Sequence, residues 1–482
     1  MNDQCILLVL VLVPVLGALL VPVLGRVSAG CRNIFALACV LVPLAASLML
    51  VPAVLSGVTT TISFNLGFGS CVFVADRLAV FMALVSSLVG AIIVLYSFDY
   101  ISHYGNQNEY YFLVVLFLGA MMGLIFAGNL VLLYVFWELT AIASWRLIGF
   151  FREREHVIRA DKAFLMTFLG ALVMLIGFIC IYQDTGSFDL PAIKAAYGAR
   201  PLPGAIVILI LAGLLSKSAT LPLQTWLPDA GVAPAPVTAL LHAAVLVKIG
   251  VYVFARLLVA TCAVPEIWHT VVPVIAAVSA LVAAGAALIE TDLKRIIAYS
   301  TISQIGFIFL GLSIGNPVAT AGALLYILMH GLAKGGLFLC AGIIEQNTHT
   351  KDITKLGGLI KTMPVTAVAF LVCAFSVMGI PPMGGFFSKY MVITGAVTSG
   401  QIAITLTFLV GAFLTIIYLF RAFTLVFLGE SKLTARPLPA EGSPTMVFSV
   451  ALLGALSILS GLFIYFPSQF VQTAVHQMLG LM

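Results

Sequence analysis

Eight ionisable side chains stand inside apolar stretches of this chain: Glu138, Arg146, Lys217, His242, Lys248, His330, Lys334 and Lys389. With 62% hydrophobic and 9% charged residues, nearly all of the sequence belongs in a bilayer. There an ionisable group costs about 2.5–3.5 kcal/mol on insertion scales. Groups retained at that cost read as a path for protons or cations rather than as packing.

Each group has its own chemistry. Glu138, in LLYVFWELTAIASW, is the one acid placed within a span. A lone carboxylate in hydrocarbon keeps its proton because no water solvates the charge, whereas a lysine partner keeps it ionised. Lys217 is the candidate partner. The plain alternative is a static ion pair between two helices, although buried pairs are weak stabilisers. Lys248 follows His242 by six residues in ALLHAAVLVKIGVYVF. Six residues turn a helix through about 600°, so the two side chains leave on different flanks. That suits a relay crossing the helix from one neighbour to the next. A lysine without water trades its proton near neutral pH, where histidine already titrates. A histidine bonded to a backbone carbonyl is the plain alternative for His242.

His330 and Lys334, in YILMHGLAKGGLF, lie four residues apart on one helix face. Gly331, Ala333, Gly335 and Gly336 leave room for water or another helix. Two cations on one face repel, so at least one is expected to be neutral. Lys389 ends the row. Arg146 lies about two turns beyond Glu138 and is either a candidate modulator of the row or a side chain snorkelling to the interface. Asp229 reads as a cap or loop residue, Arg256 and Arg421 as interface anchors, and Trp137 and Trp226 as packing.

The elements that must position these groups are transmembrane helices. Apolar runs near 20 residues recur from end to end, about fourteen in all, each long enough to cross the hydrocarbon core. The fold class expected is an all-α polytopic membrane protein in a single membrane domain. Two spans are broken. Span seven reads GLLSKSATLPLQTWLPDA, with Pro222 and Pro228; span twelve reads MGIPPMGGFFSKYM, with Pro381, Pro382, Gly384 and Gly385. Proline removes an N–H and clashes with the preceding turn, so both helices should unwind there. Non-helical backbone at that depth is tolerated only inside protein or along a wet cavity. Both breaks lie beside a lysine, Lys217 and Lys389. Paired interrupted helices point to an ion site and to an internal repeat. The division expected is 1–109 for helices one to three, 110–262 and 266–428 for two inverted five-helix repeats, and 446–482 for the last helix. The segment 59–73, TTTISFNLGFGSCVF, reads as a small extracellular hairpin.

Loop charge sets the orientation. Loops after odd-numbered spans carry Arg26, Arg32, Arg152, Arg154, Arg159, Lys162, Lys294, Arg295, Lys351, Lys355, Lys361, Lys432 and Arg436; the even loops carry only Arg77, Lys194 and Arg200. The odd loops are therefore expected in the cytoplasm, with both termini on the outer face of the cell membrane. The net charge of +5 is accounted for by these loops and does not point to nucleic acid. The eight cysteines are scattered without CxxC or Cys/His metal spacing, so neither a disulfide frame nor a metal or iron–sulfur site is expected. No GxGxxG or P-loop is present, and no cofactor is expected in this chain. The first apolar run, 5–25, has neither a basic leader nor an A-x-A-like site and reads as a retained helix.

Four stretches carry a resemblance: FWELTAIASWRLIGF, LLSKSATLPLQTWLPDAGVAPAPVTALLHAAVLVKIGVYVFARL, TDLKRIIAYSTISQIGF and GIPPMGGFFSKY. They resemble the antiporter-like, proton-translocating subunits of respiratory complex I (NADH-quinone oxidoreductase), a family shared with membrane-bound [NiFe]-hydrogenases and Mrp-type cation/proton antiporters. The resemblance spans roughly 75–430. It implies fourteen helices with two inverted five-helix repeats and broken helices seven and twelve. It also implies a hydrophilic axis through Glu138, Lys217, Lys248, His330 and Lys389. Where the family usually continues the WE motif without a basic residue, this chain has Arg146. The sequence ends soon after span fourteen, so the long helix of the largest members is not expected in it.

The leading expectation is an ion-translocating subunit of a redox-driven complex of the complex I or hydrogenase type, carrying H⁺ or Na⁺. Its partners would be other membrane subunits, related antiporter-like subunits among them, and the lipid bilayer. A subunit of an Mrp-type Na⁺/H⁺ antiporter without redox chemistry and a membrane subunit of a bicarbonate-uptake complex stay open. A structural scaffold is disfavoured by the intact row of ionisable residues.

Overall fold

In the computed structural model of the chain, residues 3–65, 70–433 and 440–481 are described. Arg436 and the tip of the 59–73 hairpin lie outside them. The chain begins with α1 (Asp3–Val27) and α2 (Ala29–Leu55), followed by a hairpin of β1 (Thr60–Asn65) and β2 (Ser70–Ala75). The strands pair antiparallel from Thr60 opposite Ala75 to Asn65 opposite Ser70, which places the expected hairpin. Next come α3 (Arg77–Tyr100), α4 (Gln107–Phe126), α5 (Leu130–Ile148), α6 (Arg154–Thr185) and the short α7 (Leu190–Tyr197). The interrupted seventh span is α8 (Gly204–Lys217) and α9 (Trp226–Asp229). It is followed by α10 (Ala235–Ala239), a π-helical turn Leu240–Ala244, and α11 (Leu246–Phe254). The second half holds α12 (Trp268–Ile289), α13 (Leu293–Ser313), α14 (Pro317–Thr348), the interrupted pair α15 (Pro364–Met378) and α16 (Gly384–Thr398), α17 (Ile402–Phe427), α18 (Pro444–Leu462) and α19 (Tyr465–Leu479).

Among the described residues, twelve helical stretches are long and apolar enough to cross a membrane; Gly204–Lys217 and Pro364–Met378 are apolar but shorter. They sort by burial. The stretch containing the π turn, Ala235–Val259, is 100% buried across its most apolar window, and α13 and α14 are 94% buried. By contrast α2, α6, α17 and α18 are under 40% buried and turn large apolar side chains outward, among them Leu169 and Phe413. Apolar surface of this kind suits contact with lipid tails. The central α14 packs against α3, α13, α15, α16, α18 and α19.

Helix starts are set by short polar side chains. Asp76 accepts from Ala79 N, Asn129 from Val131 N and Leu132 N, Asp292 from Arg295 N, and Asn316 from Val318 N and Ala319 N. Each satisfies amides that no helix carbonyl can reach. At one end of the bundle the charged groups cross-link the odd-numbered loops. Asp229 takes Lys162 at 2.7 Å and Arg295 at 2.9 Å, Arg295 also takes Glu290 at 2.8 Å, and Lys351 meets Asp292 at 2.9 Å.

Several expectations are corrected here. Asp229 is a junction of three segments rather than a simple cap, because two cations converge on it. Arg256 is no interface anchor: it is 8% exposed and binds both oxygens of Asp76. Arg421 donates to the Leu288 and Glu290 carbonyls and so closes the end of α12. Arg32 and Lys294 are buried in first helical turns rather than lying in loops, because Gln107 and Asn108 receive the guanidinium and Glu345 the ammonium. The helices α7 and α19 were not foreseen, being short and half-polar. The latter packs on α3 and α14, and its Gln477 accepts from Arg77 N.

The breaks depend on close approaches. A Cβ on Gly385 would lie 1.9 Å from the Ser376 carbonyl oxygen, whereas one on Gly411 of α17 would meet nothing within 4 Å. Gly385→Ala should therefore lower the thermal midpoint of the detergent-solubilised protein, at a cost of about 1–3 kcal/mol. Gly411→Ala should leave the midpoint unchanged or raise it. Equal midpoints for the two variants would contradict the packing assigned to the twelfth span.

Candidate functional site

The two helix breaks create hydrogen-bond acceptors, and the lysines use one of them directly. In the twelfth span α15 ends at Gly379, whose φ of 82° is the left-handed value that glycine adopts without strain. The residue four beyond Val377 is Pro381, which has no N–H, so the Val377 carbonyl is left free. Lys389 Nζ donates to it at 2.7 Å. In the seventh span Lys217 ends α8, where the helix carbonyls favour a cation. Its amine reaches across to the Trp137 carbonyl of α5 at 3.2 Å. Trp226 Nε1 donates to the Ser216 carbonyl at 2.9 Å and so ties the far side of the break back to α8. Each break holds a cis X-Pro bond, Leu221–Pro222 and Pro381–Pro382.

Between the breaks the amines again use main-chain carbonyls. Lys248 follows the π turn, a local widening often found at functional sites. Its amine donates to the Ala243 carbonyl and, at 2.9 Å, to that of Ile327 on α14. A Cβ on Gly331 would lie 2.7 Å from that amine, so the glycine makes the approach of α14 and α11 possible. Lys334 donates to the Ile297 carbonyl of α13 at 3.1 Å. All four lysines are 0–4% exposed. Among the described residues none of them forms an ion pair or a direct hydrogen bond to a carboxylate.

Glu138 neighbours Lys217 without bonding to it directly. It is half-buried, one carboxylate oxygen lies in the interior without a hydrogen-bond partner, and no direct bond to Lys217 forms. The reason is angular: Trp137, one residue earlier, points inward and offers its carbonyl and ring to Lys217, with Nζ 5.2 Å from the ring centre. The carboxylate is turned about 100° away. The two charges still lie close enough to attract.

The histidines are central and unpartnered. His242 and His330 are fully buried, and none of their four ring nitrogens has a hydrogen bond. The ring of His242 lies 4.4 Å from that of Phe338. His330 is within electrostatic reach of Lys248, Lys334, His242 and Lys389, which makes it the hub of the second group. The structure thus gathers the candidates into two groups, Glu138 with Lys217, and His242, Lys248, His330, Lys334 and Lys389 around α14. Between them runs the contact of α8 with α11, where Ser218 Oγ fits against Gly250 and has no hydrogen-bond partner.

Arg146 stands apart from both groups. It binds Glu109 at 2.6 Å, and Arg152 takes the other oxygen of that carboxylate at 2.5 Å. This clamp joins the end of α5 and the loop before α6 to the start of α4 at the rim of the bundle.

Sequence reading passed over a buried polar chain beside the second group. Tyr326 OH donates to Gln304 Oε1 at 2.7 Å, Gln304 Nε2 to Thr415 Oγ1 at 3.3 Å, and Tyr418 OH to Ser300 Oγ at 2.7 Å. A signal was there: Gln304 is an amide inside the apolar run STISQIGF. Also passed over was Lys294, bound to Glu345 at 2.5 Å on the wall of a cavity of about 620 Å³ shared with Tyr100, Tyr104 and His349. Among the described residues, no group of three or more His, Cys, Asp or Glu side chains comes together as a metal site would require.

A family described as NADH:quinone oxidoreductase/Mrp antiporter, transmembrane, matches residues 127–415. Among curated proteins, a Na⁺/H⁺ antiporter subunit from Alkalihalophilus pseudofirmus is 35% identical over 85% of this chain and 54% of its own length. A Na⁺/H⁺ antiporter subunit from Staphylococcus aureus is 34% identical over 94% of this chain and 60% of its own. A probable K⁺/H⁺ antiporter subunit from Rhizobium meliloti is 36% identical over 81% and 40%. The chain therefore spans about half the length of these relatives. A chain of the Mrp complex from Dietzia sp. superposes with a TM-score of 0.89 at 25% identity, covering 99% of this chain and 98% of that one. A chain of a membrane-bound sulfane sulfur reductase, an archaeal respiratory membrane complex, shares the fold with a TM-score of 0.88 at 24% identity, over 99% and 98%. The matched span 127–415 contains both breaks and every residue from Glu138 to Lys389, and this multi-pass membrane protein belongs to the NADH:quinone oxidoreductase/Mrp antiporter transmembrane family.

Proposed function

We propose that the chain is an antiporter-like membrane subunit that translocates protons or sodium ions within a multi-subunit complex. The observation that carries the reading is the set of four buried lysines, each held by main-chain carbonyls and, among the described residues, none neutralised by a direct carboxylate. An amine held in this way can exist charged or neutral without its neighbours moving far. In low dielectric, a proton arriving on one group alters the field at the next. A proton on Lys389 thus favours loss of one from the neighbouring basic groups, and charge shifts travel along Glu138, Lys217, Lys248, His242, His330, Lys334 and Lys389. The recurrence of a broken helix beside Lys217 and again beside Lys389 supports two inverted repeats, 110–262 and 266–428, flanked by 1–109 and 446–482.

The driving force has two readings. Redox coupling, with electron transfer in partner subunits, follows from the motif resemblance. An Mrp-type antiporter without redox chemistry is favoured by the 34–36% identity to cation/proton antiporter subunits. In either, the partners are other membrane subunits, and the location is the cytoplasmic membrane. The excess of basic residues at the end of the bundle holding Lys162, Arg295 and Lys351 supports placing that end in the cytoplasm.

Lys389→Ala, in the assembled complex in vesicles, should reduce H⁺ or Na⁺ transport by about tenfold or more, since positioned proton-transfer groups contribute ~10²-fold or more. Loss of transport together with slowed electron transfer would mark tight redox coupling; loss with no electron transfer to slow would mark the antiporter. Unchanged transport would remove Lys389 from the path. Glu138→Gln should also depress transport while the complex still assembles, and normal pumping by that variant would make the residue structural. For orientation, a membrane-impermeant thiol reagent should label a cysteine placed in the 351–361 loop only after the cytoplasmic side is opened. Labelling of that position on intact cells would reverse the topology.

A further inference from the structure

One aromatic ring neighbours two groups of the row. Tyr326 lies four residues before His330 on α14, and their rings are 6.0 Å apart, edge to face at 69°. Lys389 Nζ sits 5.6 Å from the Tyr326 ring centre and 4.6 Å from that of Phe307. Phe307 in turn lies 6.4 Å from Tyr326 and 4.7 Å from Phe408. Aromatic rings thus surround Lys389, and one of them also packs on His330.

The ring is pinned. Its hydroxyl donates to Gln304 Oε1 at 2.7 Å, and the Gln304 amide donates to Thr415 Oγ1 at 3.3 Å. Tyr418 OH reaches the same Thr415 oxygen at 3.3 Å as well as Ser300 Oγ. Tyr326, Gln304, Thr415, Tyr418 and Ser300 are all within 1% of complete burial. A satisfied buried network of this kind holds its members rigidly. An amide does not pass a proton on as a hydroxyl or water does, so the chain fixes the tyrosine rather than conducts through it. Both nitrogens of His330 lack partners, and Lys389 spends its one hydrogen bond on the Val377 carbonyl. No hydrogen bond joins the two groups.

We propose that Tyr326 gates the transfer between His330 and Lys389: pinned to Gln304, its ring keeps water out of the gap, and its release admits the water that joins the two groups. The Gln304 amide, the His330 ring and the Lys389 amine all neighbour the Tyr326 side chain, polar partners for a water in the space its release would open. The role is one of positioning and exclusion. It rests on the reading that the row conducts.

The test is passive proton leak in vesicles holding the assembled complex, read as the decay of an imposed pH gradient with a pH-sensitive dye and no driving substrate. Tyr326→Ala should raise the leak severalfold, and adding Lys389→Met should abolish the increase, because the water-filled gap leads to that amine. Tyr326→Phe keeps the ring but loses the pin, and Gln304→Leu loses the same pin from the other side. Each should raise the leak by a smaller, similar amount, and the double variant no further, since one bond is broken in all three. An unchanged leak in Tyr326→Ala, or an increase that survives Lys389→Met, would overturn the gate. If Tyr326→Ala does not assemble, the near-isosteric Tyr326→Phe and Gln304→Leu decide: additive effects or no leak overturn it. Lys389→Ala separates the two claims. Normal transport in that variant sinks the conducting row itself, whereas lost transport with no leak in the tyrosine variants sinks the gate alone.

Discussion

An amine in a hydrocarbon interior needs lone pairs, and in this protein they come from the main chain. Some of these acceptors stand where a helix widens or is broken, Ala243 and Val377, and others are the second lone pairs of carbonyls inside regular helices, Trp137, Ile297 and Ile327. The proline of the twelfth span leaves the Val377 carbonyl free for Lys389, and the π turn before α11 precedes a lysine that folds back onto it. Irregular backbone and buried charge thus meet at Lys248 and Lys389. Lys248 and Lys334 sit on two of the most buried stretches of the bundle, Ala235–Val259 and α14.

Carbonyls rather than carboxylates as partners have a consequence for function. A buried ion pair fixes its proton, because removing the charge from one member strands the other. A carbonyl solvates an ammonium and tolerates a neutral amine. The row can therefore hold different numbers of protons with the same fold, which a device moving charge through a rigid core requires. Where true ion pairs occur, as in Arg256 with Asp76 or Arg295 with Asp229, they sit toward the ends of the bundle and join elements. Those pairs read as fasteners, and Arg146 with Glu109 is one of them.

Much of this was legible in the sequence. Ionisable residues in apolar runs mark themselves, since composition and span length leave them nowhere else to be, and Pro381–Pro382 beside Lys389 announced a break. Burial and mutual arrangement were harder. Glu138 and Lys217 were legible as partners, within hydrogen-bonding or one-water reach, but sequence spacing within one helix cannot say that the Trp137 carbonyl would take the lysine. Arg256 looked like an anchor because its partner, Asp76, lies 180 residues away in the chain. Gln304 and Tyr326 were passed over because uncharged polar residues in spans raise no alarm singly; their meaning came from meeting each other across α13 and α14. The π turn has no sequence signature, since its residues LLHAA suit an ordinary helix.

The most direct measurement is on Lys248, which joins α11 to α14 through hydrogen bonds to carbonyls. Lys248→Met keeps the length of the side chain and removes its titratable amine. In vesicles containing the assembled complex, driven by an imposed cation or redox gradient, the account predicts normal assembly and loss of proton or sodium transport. Undiminished transport by fully assembled Lys248→Met would contradict the claim that buried lysines carry the charge through this protein.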